Sequence, residues 1–375
     1  MEYIKIKDLF KITKGKKVEQ VEERTDSSIR FIQIDDLRND INLKYCENDK
    51  KYVIVNKEDI IIAWDGANAG TIGFGLEGAI GSTLAKLTKD NNEMDTEFCG
   101  LFLRSKSAYL REKCTGATIP HIQRESLEEL EIPKLPLEIQ KKIKNIINKA
   151  QELIDKRKEQ IEALDELVKS QFIEMFGDPV TNSKGWEKEK LNELGELARG
   201  KSKHRPRNAP ELLGGPYPLV QTGDIANAGI YLKEYTQTYS EFGLKQSKMW
   251  DKGTLCITIA ANIAKTSILT FDACFPDSVV AFIPNEKTNN MFIQFWMSFL
   301  QKILEDSAPE SAQKNINLKI LSEQKVIVPP IELQNQFADF VEQVDKLKLE
   351  MEKSLNELED NFNSLMQKAF KGELF

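Results

Sequence analysis

Residues 138 to 176 carry apolar side chains at spacings of three and four, with no proline or glycine among them. Ile139, Ile143, Ile146, Ile147, Ala150, Leu153, Ile161, Leu164 and Phe176 fall on one face of an α-helix under that spacing, and Pro136 before the run and Gly177 after it are residues that open and close helices. The pattern predicts a helix over Glu138–Phe176. At ~1.5 Å per residue it is about 58 Å long, more than a compact domain needs inside its own core, so it reads as a spacer. The same pattern returns 194 residues later. Leu333, Phe337, Phe340, Val341, Val344, Leu347, Leu355, Leu358 and Phe370 take the same places, behind Pro329-Pro330-Ile331-Glu332-Leu333-Gln334, which repeats Leu135-Pro136-Leu137-Glu138-Ile139-Gln140. A stripe this long needs a partner. The second copy, lying antiparallel along the first as a coiled coil, would set Ile143, Ile147, Ala150, Ile161 and Leu164 against Phe337, Val341, Val344, Leu355 and Leu358. A helix of another chain is the alternative.

The segments ahead of the two helices match more loosely. Leu9, Ile12 and Gly15 correspond to Leu194, Leu197 and Gly200, and residues 31–37 to residues 219–225, so that Gln33 and Asp36 meet Gln221 and Asp224; Ala67-Asn68 meets Ala261-Asn262. The runs Asp59–Trp64 and Thr254–Ile259 are rich in β-branched residues and bounded by Gly, Asn or Asp, which predicts short strands in mixed α and β domains. The chain thus reads as an α+β protein with a pseudo-twofold internal repeat: a first domain over residues 1–135, a helix over 136–178, a second domain over 179–328 and a helix over 329–375. With 375 residues it is long enough to fill two cores.

Composition excludes more than it assigns. A hydrophobic content of 41% with 30% charged residues is that of an ordinary folded protein, and neither a membrane-length apolar run nor a signal-peptide core is present, which points to the cytoplasm. Five cysteines form no Cys-x-x-Cys pair and the two histidines, His121 and His204, are far apart, so no zinc site or disulfide framework is indicated. The net charge of −7 argues against a uniformly basic surface, but its distribution is uneven. Residues 1–135 hold 21 basic against 24 acidic side chains, residues 181–330 hold 18 against 16, and residues 331–375 hold 5 against 10.

Two stretches imitate catalytic motifs. Gly195 to Ser202 has Walker A spacing, yet Leu191-Asn192-Glu193-Leu194 ahead of it reads as helical and Pro206 and Pro210 follow, where a phosphate loop needs a strand before and a helix after. Gly73, Gly75 and Gly78 match a dinucleotide fingerprint, but turns between short strands explain them better. His121, aligned with Asn315, has no acid or nucleophile beside it in sequence, so a polar surface or ligand-contact role fits it better than catalysis.

Basic clusters follow both Gly15 and Gly200: Lys14, Lys16 and Lys17 in the first domain, Lys201, Lys203, His204, Arg205 and Arg207 in the second. Either could be a solvated charge run. Their equivalent placement suggests a shared ligand, and flexible basic loops suit the phosphates of a nucleic acid, while reading base edges needs Asn, Gln, Arg or Asp side chains. Gln33, Asp36, Asn68, His121, Gln221, Asp224, Asn262 and Asn315 are the candidates for reading bases or shaping the domain.

With its two variable domains, each followed by the Pro-(Leu/Ile)-Glu-(Ile/Leu)-Gln segment and a long helix, the chain resembles the specificity subunit of type I restriction-modification systems over essentially its whole length. The strongest marks are residues 132–140 and 326–334 and the helix endings Met175-Phe176-Gly177-Asp178 and Ala369-Phe370-Lys371-Gly372-Glu373-Leu374. The resemblance implies two target-recognition domains that read the unlike halves of a bipartite site in double-stranded DNA, with the long helices as spacer. It implies no catalysis in this chain, two adenine methyltransferase subunits as partners, and two ATP-driven translocase and nuclease subunits joining them. S-adenosylmethionine, ATP and magnesium would belong to those partners. The acidic first domain suggests that the methyltransferase supplies positive surface for DNA. A tandem module for a protein or glycan on a coiled-coil scaffold, or a stand-alone nucleotide-using enzyme, are the competing readings.

Overall fold

A computed structural model describes residues 2–90, 93–116, 118–260, 263–306 and 316–374. They form two compact units, one of Met1–Glu159 with Lys353–Phe375 and one of Gln160–Glu352. The long helices span Leu137–Phe176 and Ile331–Lys371, each beginning directly after the proline that announced it. The boundary between units falls inside both helices, so each helix is divided between the two units instead of forming a segment of its own. Among the described residues no helix is long and apolar enough to cross a membrane.

In the first unit, strands Phe10–Lys14, Leu84–Lys89, Ile60–Ala63 and Ile72–Phe74 form an antiparallel core sheet in that spatial order. A second sheet, ordered Lys44–Glu47, Ser28–Ile32, Gly78–Ile80 and Val53–Val55, covers it and holds a parallel pair at its centre. The strand Ile60–Ala63 is apolar throughout because both its faces are buried. Ile60 and Ile62 pack with Phe98, Phe102, Ile143 and Ile147, while Ile61 and Ala63 pack with Ile32, Val55 and Ile80, the period-two alternation of a strand. The second unit repeats this plan. Its core sheet is ordered Gly195–Arg199, Val279–Pro284, Leu255–Thr258, Thr266–Leu269, with Tyr231–Leu232 added at the edge. Its cover sheet is ordered Gln237–Tyr239, Leu213–Leu219, Ala273–Cys274, Met249–Trp250.

Within each unit the two helix segments run antiparallel. In the first, Ile143 and Ile147, near one helix start, share a core with Met366, Ala369 and Phe370 from the other helix end, and Lys158 pairs with Glu359 at 2.8 Å. In the second, Leu164, Val168, Phe172 and Phe176 share a core with Phe337, Val341 and Val344, and Lys348 pairs with Asp165 at 2.6 Å. Equivalent rings do equivalent work: Phe370 lies 5.4 Å from both Phe98 and Phe102, and Phe176 lies 4.9 Å from Phe292. Ala150, Ile161, Leu355 and Leu358 are half-buried. Three members of the predicted stripe are instead exposed: Ile146 at 38%, Leu153 at 56% and Leu347 at 43%. Each lies next to the buried seam, and one residue turns a helix by about 100°. Ile154, not Leu153, is the buried position.

The repeated Pro-x-Glu-x-Gln segment owes its glutamine to a buried clamp. Gln140 and Gln334 are both fully buried. Gln140 accepts from the Asp95 N–H at 2.8 Å and donates to the Leu135 carbonyl at 2.7 Å; Gln334 accepts from the Thr288 hydroxyl at 2.9 Å and the Asn289 N–H at 3.2 Å and donates to the Pro329 carbonyl at 2.8 Å. Asp95 and Asn289 in turn accept from the Phe98 and Phe292 N–H groups, capping the helices Thr96–Ser105 and Asn290–Asp306. Gln140→Leu or Gln334→Leu keeps the volume but orphans these groups, a loss of about 1–3 kcal/mol. Hydrogen exchange is expected to lose protection in Thr96–Ser105 for the first variant and in Asn290–Asp306 for the second. Equal loss in both helices would contradict the clamp.

Candidate nucleic-acid interface

One end of each core sheet gathers most of the polar candidates. In the first unit Phe10–Lys14 and Ile60–Ala63 finish at this end and Leu84–Lys89 starts there. Gly15 leaves the sheet by pressing its backbone on a neighbour: its N–H donates to the Leu84 carbonyl at 2.8 Å, and a Cβ would sit 2.1 Å from the Gly81 carbonyl oxygen. Gly200 does the same in the second unit, donating to Val279, with a Cβ 2.3 Å from the carbonyl oxygens of Phe275 and Pro276. Only glycine fits either place, and the basic residues follow at once because the chain has just left the sheet.

The Lys14 ammonium is 2.7 Å from one oxygen of Asp65, whose other oxygen is 2.7 Å from His121 Nδ1. Burial works to raise the Asp65 carboxyl, but hydrogen bonds from Lys14 and His121 outweigh it and hold the group below the ordinary aspartate value. An acid therefore does stand beside His121, although 56 residues away in sequence. Lys16 and Lys17 are exposed and carry no ion pair among the described residues. In the second unit, the Lys203 and His204 N–H groups donate to Gln246 Oε1 at 2.6 and 3.0 Å, which pins the basic loop. Lys201 and Lys203 are exposed, without an ion pair among the described residues. Arg207 donates to Asp277 at 2.6 Å, and Arg205 donates to the Ser202 and His204 carbonyls and lies 3.8 Å from Asp277. Such half-exposed pairs are worth about 1 kcal/mol or less, so a phosphate can displace them.

The two Gln-x-x-Asp segments have one geometry. Asp36 accepts from the Gln33 N–H at 2.6 Å and from Arg30 at 2.8 Å; Asp224 accepts from the Gln221 N–H at 2.8 Å and from the Thr236 hydroxyl at 3.0 Å. The carboxylates are spent on shaping the turn and accept from the glutamine backbones, not from the glutamine side chains. Gln33 is half-buried, and exposed Gln221 donates to Gln237 Oε1 at 2.6 Å. Gln221, Gln237, Arg207, Ser202, Tyr239 and Ser278 line a cleft of about 440 Å³. Asn68 accepts from Arg38 at 2.8 Å. Asn262 and Asn315 lie outside the described residues, though Ile316 donates to Ile259 as Ile122 does to Trp64. Asp65, Gln237, Gln246 and Asp277 went unnoticed in the sequence, because their partners are distant along the chain.

The motif imitations dissolve. Residues Gly195–Arg199 are a strand paired with Val279–Pro284, not a phosphate loop, and Gly75, with a φ of 73°, sits in the turn between Ile72–Phe74 and Gly78–Ile80. Burial pushes the Cys99 thiol up to about 12 and raises that of Cys256, so both are protonated at neutral pH. Among the described residues no group of three His, Cys, Asp or Glu side chains could hold a metal ion.

The family described as type I restriction modification DNA specificity domain matches residues 1–163 and again 183–360. The type I restriction enzyme MjaVIII specificity subunit of Methanocaldococcus jannaschii is 27% identical over an alignment covering 100% of this chain and 92% of that protein. Among solved structures, a chain from a study of complex assembly and conformational transition in the type I R-M system superposes with a TM-score of 0.67 at 16% identity, covering 100% of this chain and 98% of its own. The type I restriction-modification S subunit from M. genitalium gives a TM-score of 0.58 at 19% identity, covering 98% of this chain and 96% of its own. The two matched regions, each with a Gly-turn, a Gln-x-x-Asp turn and a glutamine clamp of its own, make this chain a member of the type I restriction modification DNA specificity family.

Proposed function

We propose that this chain is the non-catalytic, DNA-reading subunit of a type I restriction-modification complex, each unit reading one half of an asymmetric, bipartite target in double-stranded DNA. The observation that carries this reading is the same sheet end built twice with different side chains on it: Lys14, Asp65 and His121 on one, Arg205, Arg207 and Asp277 on the other. One frame with two chemistries suits two unlike half-sites. The long helices, antiparallel within each unit, act as a spacer that sets the distance between half-sites. Binding of duplex DNA by the assembled complex is expected to fall linearly with salt on a log-log scale, whereas a protein or glycan ligand need not show this.

The repeat also offers two similar docking faces, on which exposed Leu153 and Leu347 stand at equivalent helix positions. These faces would take two methyltransferase subunits, with two translocase and nuclease subunits completing the complex in the cytoplasm. S-adenosylmethionine, ATP and magnesium are expected on those subunits. Native mass measurement of the purified complex is expected to give two methyltransferase subunits per chain; a stable complex with one would count heavily against the repeat-based reading.

A further inference from the structure

We infer that Gln221 and Gln237 together read an adenine in the half-site of the second unit, and that the strand position of Gln237 sets the base preference of each unit; this rests on the DNA-reading function proposed above. Both side chains are exposed, and their amides bond to each other at 2.6 Å. Whichever amide is the donor, a bonded pair of this kind leaves one free carbonyl oxygen and one free NH2 side by side. Adenine presents an N6 donor beside an N7 acceptor in the major groove, which this arrangement complements, whereas guanine presents two acceptors.

The pair is also held in place. Asp224 binds the backbone of Gln221 through one oxygen and the hydroxyl of Thr236, the neighbour of Gln237, through the other. Gln237 itself lies opposite Leu219 in the cover sheet. One carboxylate therefore fixes both segments, so little is lost in ordering them on DNA. Arg207, tethered by Asp277 on the same cleft, is placed for a phosphate that would set the register.

The first unit shares the strand register and the Asp-to-Gln backbone bond of this frame, with a different side chain at the facing position, although its Asp36 holds Arg30 of its own segment and nothing next to the facing strand residue. Phe31 lies two residues before Gln33 as Leu219 does before Gln221, and opposite Phe31 stands Lys44. Lysine offers only donors and suits the O6 and N7 acceptors of guanine. Gln33 with Lys44 would therefore prefer guanine where Gln221 with Gln237 prefers adenine.

The test uses the full chain assembled with its methyltransferase, with the methylated motif mapped genome-wide. Gln237→Lys is expected to change one position of one half-site from adenine to guanine and leave the other half-site alone. Lys44→Gln is expected to make the reverse change in the other half-site. Gln221→Ala, which adds no charge, should reduce discrimination at the first position by roughly 5- to 100-fold. In duplex binding, 7-deazaadenine at that position, which lacks the N7 that the free NH2 of Gln237 would meet, should weaken the unaltered complex but not a Gln221→Ala/Gln237→Ala complex. An unchanged motif in all three variants, equal weakening on every sequence, or half-sites without adenine would overturn the inference. An unaltered complex that fails to tell cognate from scrambled duplex would instead overturn the DNA-reading function itself.

Discussion

A seven-residue insertion in each long helix, one between Glu159 and Gln160 and one between Glu352 and Lys353, is expected to lengthen the unread spacer of the target by up to about three base pairs. Both half-site sequences should stay as they are. A heptad keeps each apolar stripe in phase, and at ~1.5 Å per residue it adds about 10 Å, against ~3.4 Å per base pair of duplex. These points lie where the two units divide. The Lys158 to Glu359 pair stays within the first unit and the Lys348 to Asp165 pair within the second. Three base pairs also turn the second half-site by a quarter or more of the ~10.5 bp helical repeat, so methylation is expected to slow even at the matched spacing. Genome-wide mapping of the methylated motif is the readout. An unchanged spacer at full activity would show that the helices do not set the separation, and an altered half-site would show that they read bases.

Replacing Lys201, Lys203, Arg205 and Arg207 together with alanine is expected to weaken binding to matched and mismatched duplexes alike. Each lost phosphate contact flattens the log-log salt dependence by ~0.9, so four contacts would remove about 3 to 4 from the slope. The structure orders the four. Lys201 and Lys203 should each approach the full value, whereas Arg205 and Arg207 share Asp277, which already offsets part of their charge. Fluorescence anisotropy across a salt series measures both quantities, and a loss confined to the matched duplex would make these residues base readers instead of phosphate contacts.

The helices were legible because their stripes are long and their ends are marked by Pro136, Gly177, Pro330 and Gly372; against the expected Glu138–Phe176 and Glu332–Phe370, the observed bounds differ by one residue at each start and at the end of the second helix. The strands were legible where both faces are buried, so the run Asp59–Trp64 contained Ile60–Ala63 and the run Thr254–Ile259 contained Leu255–Thr258. The internal repeat was legible because Gln140 and Gln334 cannot change without orphaning buried groups, and such positions hold a duplication in register. The candidate interface was only half visible. Gly15, Gly200 and the basic residues announce themselves locally, but Asp65 with His121, Arg207 with Asp277 and Gln221 with Gln237 are joined across loops whose pairing depends on the sheet order. Ile146, Leu153 and Leu347 belong to the predicted stripe yet are exposed, because spacings of three and four also admit residues one step off the true contact line.

The division of each helix between units has a consequence for the order in which the protein matures during synthesis. The first unit is built from segments on either side of the second in the chain, since Phe370 packs on Phe98 and Phe102, while the second unit is a continuous stretch from Gln160 to Glu352. At ~5–20 residues per second, the ribosome finishes the second unit roughly 10 to 40 seconds after the opening residues of the first have all been made. Throughout that interval the earlier-made core lacks the ring that closes it, leaving Phe98 and Phe102 open to solvent or to a chaperone. The unit whose opening segment is translated first is thus closed only after the second unit has been made, and its closure reports that the second unit is already in place.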